Sequence, residues 1–234
     1  MTGSRERSGI GTLREKTVHA VLKEYYGGGE ESKEISVGSF VADVVSEAGV
    51  IEIQTRSLYR LERKLTALLP LCRVTVVYPL EKETYLLTID PESGELLSRR
   101  KSPKKAGLWQ GIAELYGIRE HLKDEHLTIR FPLLTVEETR LPAAGRGRCA
   151  KKHDRIPTAL NDETILRNVG DYIDLLPKAL PDSFTSAELA KLCKTNAETA
   201  RRCIGTLKAV GALQECGKRG RCKLWKVCME NTEV

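Results

Sequence analysis

Hydrophobic and polar residues alternate along this chain with two different periods, and the switches between them predict the element order. Leu13, Val18, Val21, Leu22 and Tyr25 recur at helical spacing, which predicts a helix from about Thr12 to Tyr26, closed by Gly27-Gly28-Gly29. A first strand is expected over Glu34–Gly38. Two more follow, Phe40-Val41-Ala42-Asp43-Val44-Val45 and Val50-Ile51-Glu52-Ile53-Gln54-Thr55, joined by Glu47-Ala48-Gly49. Leu58, Leu61, Leu65 and Leu68 form the apolar stripe of a helix with Ser57 as cap and Pro70 as stop. The run Val74–Tyr78 is β-branched and nearly all apolar, as in a parallel strand covered on both faces.

The pattern then weakens. Tyr85–Ile89 and Glu95–Ser98 read as a hairpin, Arg99–Lys105 as an exposed basic loop, Leu108–Leu122 as a helix, and Leu127–Val136 as a strand pair or one long bent strand. Five Arg and Lys fall in the ten residues from Arg146, and residues 143–160 read as a linker between domains. Beyond it, Ile165, Val169, Tyr172, Ile173 and Leu176 mark a helix ended by Pro177. Thr185-Ser186-Ala187-Glu188 and Thr195-Asn196-Ala197-Glu198 both fit a capping box. The second of these helices turns Ala200, Cys203, Ile204, Leu207 and Val210 inward and Arg201, Arg202 and Lys208 outward. Ala212–Cys216 and Arg221–Val227 then flank a basic turn, Gly217-Lys218-Arg219-Gly220. Three helices and a two-stranded wing form a winged helix-turn-helix, whose second helix suits the major groove of duplex DNA while its basic wing suits phosphates.

Composition narrows the function. The 234 residues suffice for a core of about 10–142 and a second domain of 161–229, and no apolar run is long enough to span a bilayer, so a cytoplasmic protein with no membrane partner is expected. The charge of +6 matters because it is clustered in the linker and the wing. Seven cysteines, at 72, 149, 193, 203, 216, 222 and 228, include no Cys-x-x-Cys pair, which argues against a zinc ribbon and a disulfide framework alike.

The candidate chemistry lies in the second and third strands. An antiparallel hairpin sets Asp43 beside Glu52, and two carboxylates held that close call for a cation or a proton, Mg²⁺ being the hard ion that suits oxygen donors. Glu15 lies on or beside the buried stripe of the first helix. The order Gly11-x-x-x-Glu15, Asp43, then Glu52-Ile53-Gln54, followed by a helix and an apolar strand, resembles the PD-(D/E)XK nuclease superfamily, with a layout similar to Holliday junction resolvases and restriction endonucleases. The resemblance covers about residues 10–80 and implies an α/β restriction-endonuclease-like core, α-β-β-β-α-β, ahead of the winged helix.

What the resemblance implies is a Mg²⁺- or Mn²⁺-dependent deoxyribonuclease. Asp43, Glu52 and the Ile53 carbonyl would hold the metal, Gln54 would position the attacking water, and Glu15 would support a second ion. The superfamily motif ends in Lys where this chain has Gln54, so a cation from a flanking helix, Lys16 or Lys64, would take that place, or the domain would be inert and only bind DNA. Double-stranded or branched DNA is the expected partner, read by Arg201, Arg202 and Lys208 and gripped by Lys218, Arg219 and Arg221, with a homodimer left open.

Overall fold

A computed structural model describes residues 13–27, 33–37, 40–103, 106–142 and 151–228, with side chains described from Val18 on α1, from Phe40 on the sheet and from Asp154 on its last strand. It is an α/β fold. Helix α1 (Leu13–Gly27) precedes the meander β1 (Lys33–Val37), β2 (Phe40–Ser46) and β3 (Gly49–Ile53). A 3₁₀ turn (Leu58–Leu61) runs into α2 (Glu62–Leu68), and β4 (Val74–Val77) lies parallel to β3 with Glu52 opposite Val76. After β5 (Leu80–Ile89) and β6 (Leu96–Lys101) come α3 (Leu108–Glu114), a second 3₁₀ segment (Leu115–His121), and the long strands β7 (Leu127–Leu141) and β8 (Lys151–Leu166).

The eight strands make one mixed sheet in which β7 is shared. Its first residues pair in parallel with β4 and its later ones in parallel with β5, while β8 runs antiparallel along its other side. Two apolar clusters cover the two faces. Val18 and Leu22 of α1 pack with Ile53, Val77, Leu134 and Val136 on one. On the other, Leu58, Leu61, Leu65 and Leu68 join Ile112, Leu115, Ile118 and Phe131. Val74, Val76 and Val77 are fully buried between these layers, which is why β4 is apolar but for Thr75. No helix among the described residues is long and apolar enough to cross a membrane.

The C-terminal part holds α4 (Val169–Asp174), α5 (Ser186–Leu192), α6 (Ala197–Val210) and the antiparallel hairpin β9 (Leu213–Arg219) and β10 (Cys222–Val227). The Thr185–Glu188 capping box forms as the sequence indicates. The next helix is capped by Asn196, whose Oδ1 accepts from the Thr199 amide at 2.8 Å, one residue later than the Thr195 reading. The caps set where each helix starts; α6 ends at Gly211, whose φ of 90° an L side chain rarely adopts.

Several expectations are corrected. Residues 151–160 are not linker but strand, since β8 pairs along almost the whole of β7; as an edge strand bonded on one side only, it tolerates the polar composition that reads as loop. Residues 143–150 lie outside the described residues. Ile165 and Leu166 belong to β8, so the helix there begins at Val169. Arg99, Arg100 and Lys101 lie in β6, all exposed, with Arg99 stacked over Tyr85. Ser57 makes no side-chain cap. Among the described residues of α1 the buried apolar positions are Val18 and Leu22, for Val21 and Tyr25 are 43% and 61% exposed.

The largest correction concerns α6, whose inward side is buried against the sheet domain as well as against its own helices. It packs on α3 and the following 3₁₀ segment, with the Thr206 hydroxyl donating to the Ile112 carbonyl at 2.9 Å and the Cys203 thiol to the Trp109 carbonyl at 3.1 Å. Cys203, Ile204, Leu207 and Val210 share one apolar cluster with Ile112, Leu115 and Phe131. The C-terminal helices are therefore continuous with the sheet's core. A fragment beginning at Arg167 exposes that side of α6 and is expected to lack a cooperative thermal transition by circular dichroism; a sharp transition in the fragment would contradict the shared core.

Candidate active site

Gly49 makes the hairpin that brings the acids together. Its φ is +123°, and a Cβ there would overlap the Arg73 carbonyl, to which the Val50 amide donates at 2.9 Å. Gly49→Ala thus strains the turn and separates β3 from the residue that leads into β4; a loss of about 1–3 kcal/mol is expected in urea denaturation. The β2–β3 ladder pairs Ser46 with Gly49, Val45 with Val50 and Val44 with Ile51. The same register continues to Asp43 opposite Glu52.

There the ladder opens, and the two carboxylates take over its hydrogen bonds. The Ile53 amide donates to Asp43 Oδ2 at 2.9 Å, and the Asp43 amide lies 3.4 Å from Glu52 Oε1. Each acid is thus fixed by the backbone of the opposing strand. Basic groups approach from both helical layers. From α1, His19 Nε2 is 3.3 Å from Asp43 Oδ2 and Lys23 Nζ is 3.7 Å from Oδ1. From α2, Lys64 Nζ lies 2.5 Å from Glu52 Oε1 and donates to the Val41 carbonyl at 2.6 Å. His19, Asp43, Glu52, Gln54, Thr55 and Lys64 line one open cleft of about 350 Å³.

Environment separates the two acids. Burial opposes ionisation of Asp43, but the hydrogen bond from His19, the Ile53 amide and the charges of His19 and Lys23 together hold its pKa below the ordinary carboxylate value. Glu52, only 2% exposed, is pushed up by burial, and the Asp43 charge adds to that, with Lys64 offsetting part of it. A low and a raised carboxylate side by side can hold one proton or one cation between them.

The expected site residues fare unevenly. Asp43, Glu52, Gln54 and Lys64 meet in the cleft. Ile53 contributes its amide to Asp43, and its side chain is buried under α1. The side chains of Glu15 and Lys16 lie outside the described residues. Arg201 and Lys208 are exposed on α6, whereas Arg202 is half-buried and pairs with Glu114 at 3.7 Å, so it does not point outward. In the hairpin, Lys218 and Arg221 are exposed and Arg219 pairs with Glu188 at 2.8 Å. His19 and Lys23 escaped the sequence reading. Their signal was there, because His19 and Lys23 stand four residues apart beside Val18 and Leu22, so both share the edge of the stripe that meets the sheet.

The chain belongs to the family described as a domain of unknown function, DUF8091, which matches residues 16–167. That span takes in most of α1, the eight-stranded sheet and the cleft. An uncharacterized protein of Treponema pallidum (strain Nichols) is 31% identical over 221 residues, covering 93% of this chain and 87% of the relative. This alignment is longer than the family match and takes in most of the C-terminal helices as well. No solved structure matches the chain.

Proposed function

We propose that the chain is a metal-dependent DNA endonuclease of the PD-(D/E)XK kind. The observation that carries this reading is the convergence of Asp43 and Glu52 where β2 and β3 part, with Gln54 and Lys64 lining the same cleft. The donor set suits Mg²⁺ or Mn²⁺, since a small hard cation keeps most of its waters and needs only one or two carboxylates. No group of three or more His, Cys, Asp or Glu placed to share a metal occurs among the described residues, so Asp43 and Glu52 would carry the binding, with the Ile53 carbonyl as third donor. Bound there, the ion supplies Lewis-acid stabilisation of charge on the scissile phosphate.

The protein's own groups complete the chemistry. Lys64 supplies the ammonium that the motif lacks at Gln54, brought from α2 to Glu52 Oε1. Gln54 offers a carboxamide that orients water without a charge. His19 Nε2 lies 3.3 Å from Asp43 Oδ2, which places an imidazole where it can exchange a proton with a group entering the cleft.

The C-terminal three helices and hairpin support a winged helix whose hairpin, more than its covered helix α6, meets DNA. Replacing Lys218, Arg219 and Arg221 together with Ala should weaken all sequences alike and flatten the slope of log K against log salt by roughly 0.9 per lost phosphate contact. An unchanged slope would remove the hairpin from the interface.

A second reading is favoured by one observation: both acids already face basic partners, as in an inert nuclease-like domain kept for DNA binding. Incubating the full chain with plasmid, branched and single-stranded DNA in Mg²⁺, Mn²⁺ or EDTA separates the two. Cleavage that EDTA abolishes supports the endonuclease. DNA bound but uncut under every condition leaves the inert regulator, and neither binding nor cleavage rejects both.

A further inference from the structure

A second cleft, of about 440 Å³, shares no lining residue with the acidic one and lies toward the other end of α1. Its size falls within the range of small-molecule sites, about 300–1,000 Å³. Tyr25 and Tyr26 of α1, Arg130 of β7 and Arg167 line it together with Thr75 of β4 and Thr128 of β7, which pair across the sheet. No Asp or Glu is among its lining residues. The walls are built rather than incidental. Tyr26 donates its hydroxyl to Glu163, and Arg130 Nη1 lies 3.4 Å from the same carboxylate, so both side chains are fixed from behind. The Tyr26 ring meets Tyr25 edge-on at 4.9 Å, which orients Tyr25 although that residue is 61% exposed. Arg167 is exposed and makes no ion pair among the described residues.

An exposed, oriented aromatic face beside a guanidinium with no acidic partner among the described residues, and two threonines, matches a ligand with a planar base, a sugar and a phosphate. We infer that this cleft binds a nucleoside monophosphate unit, its base against Tyr25, its phosphate on Arg167 and Arg130, and its sugar over Thr75 and Thr128. The unit comes either free or as the end of a strand, and the inference does not depend on cleavage at the acidic cleft.

Titration calorimetry of the full chain with AMP, inorganic phosphate and a 5′-phosphorylated oligothymidylate tests it. AMP is expected to bind at least about tenfold tighter than phosphate, and Arg167→Ala to weaken it about tenfold. Tyr25→Ala should weaken AMP and leave phosphate unchanged. Arg167-dependent binding of free AMP identifies the free nucleotide as occupant; Arg167-dependence seen only with the oligonucleotide identifies a strand end. Asp43→Ala should not alter either, which separates this cleft from the acidic one. The inference is overturned if neither nucleotide probe binds in an Arg167-dependent way, if Tyr25→Ala leaves unaffected the probe that does bind, or if Asp43→Ala abolishes that binding in a folded chain.

Discussion

A Glu52→Gln chain is expected to lose Mg²⁺-dependent cleavage by about 10³-fold, the equivalent of about 4 kcal/mol of barrier, while DNA binding persists. The amide keeps the shape of Glu52 and still accepts from the Asp43 amide, so the fold should stand while the charge that holds the cation is gone. Asp43→Asn makes the same point from the other strand, because its Oδ1 can still accept from the Ile53 amide. Plasmid nicking, with circular dichroism as the control for folding, is the measurement. Wild-type rates in a folded Glu52→Gln chain would reject the acidic cleft as the seat of activity.

Lys64→Met is expected to destabilise the protein by about 3 kcal/mol at pH 8, since it leaves a buried carboxylate unpaired. The effect carries a pH signature. The folded-state pKa of Glu52 already lies above its ordinary value of 4.5, and removing Lys64 raises it further. Below 4.5 Glu52 is protonated in both folded and unfolded chains and the penalty vanishes; it grows as pH rises through the folded pKa. Asp43 behaves oppositely, its lowered pKa giving stability above 3.8 that is lost as pH falls through the folded value. Urea denaturation of Lys64→Met at pH 5 and pH 8 should therefore show the larger deficit at pH 8. An equal deficit at both would mean that Lys64 acts through packing alone.

The first half of the chain was legible because its signals are local. Alternation in Phe40–Val45 and Val50–Thr55 fixes which residues face together, and Gly49 between them fixes the turn, so the Asp43–Glu52 pairing follows from register alone. Lys64 was reachable as a candidate because α2 follows β3 after a short turn. His19 and Lys23 were harder, since how α1 crosses the sheet depends on Val18 and Leu22 meeting Ile53, Val77, Leu134 and Val136, residues up to more than a hundred positions away. Strand β8 was missed for a related reason. Its partner β7 supplies the apolar side, so residues 151–160 could stay polar and resemble a linker. The docking of α6 was invisible too, because Cys203, Ile204, Leu207 and Val210 read equally well as inward-facing positions of a free three-helix unit.

Strand β7 joins in parallel with both β4 and β5, and each of those pairings spans a long loop that must close before its contacts can form. The antiparallel β7–β8 pairing is closer in sequence and needs no crossover. A chain so dependent on distant partners should collapse around that pair first and reach its final form in milliseconds to seconds rather than microseconds. Until β4 and β5 have both added, the β7 edge is open to a neighbour's strand. Refolding yield should accordingly fall as protein concentration rises, even under conditions in which the finished protein is stable.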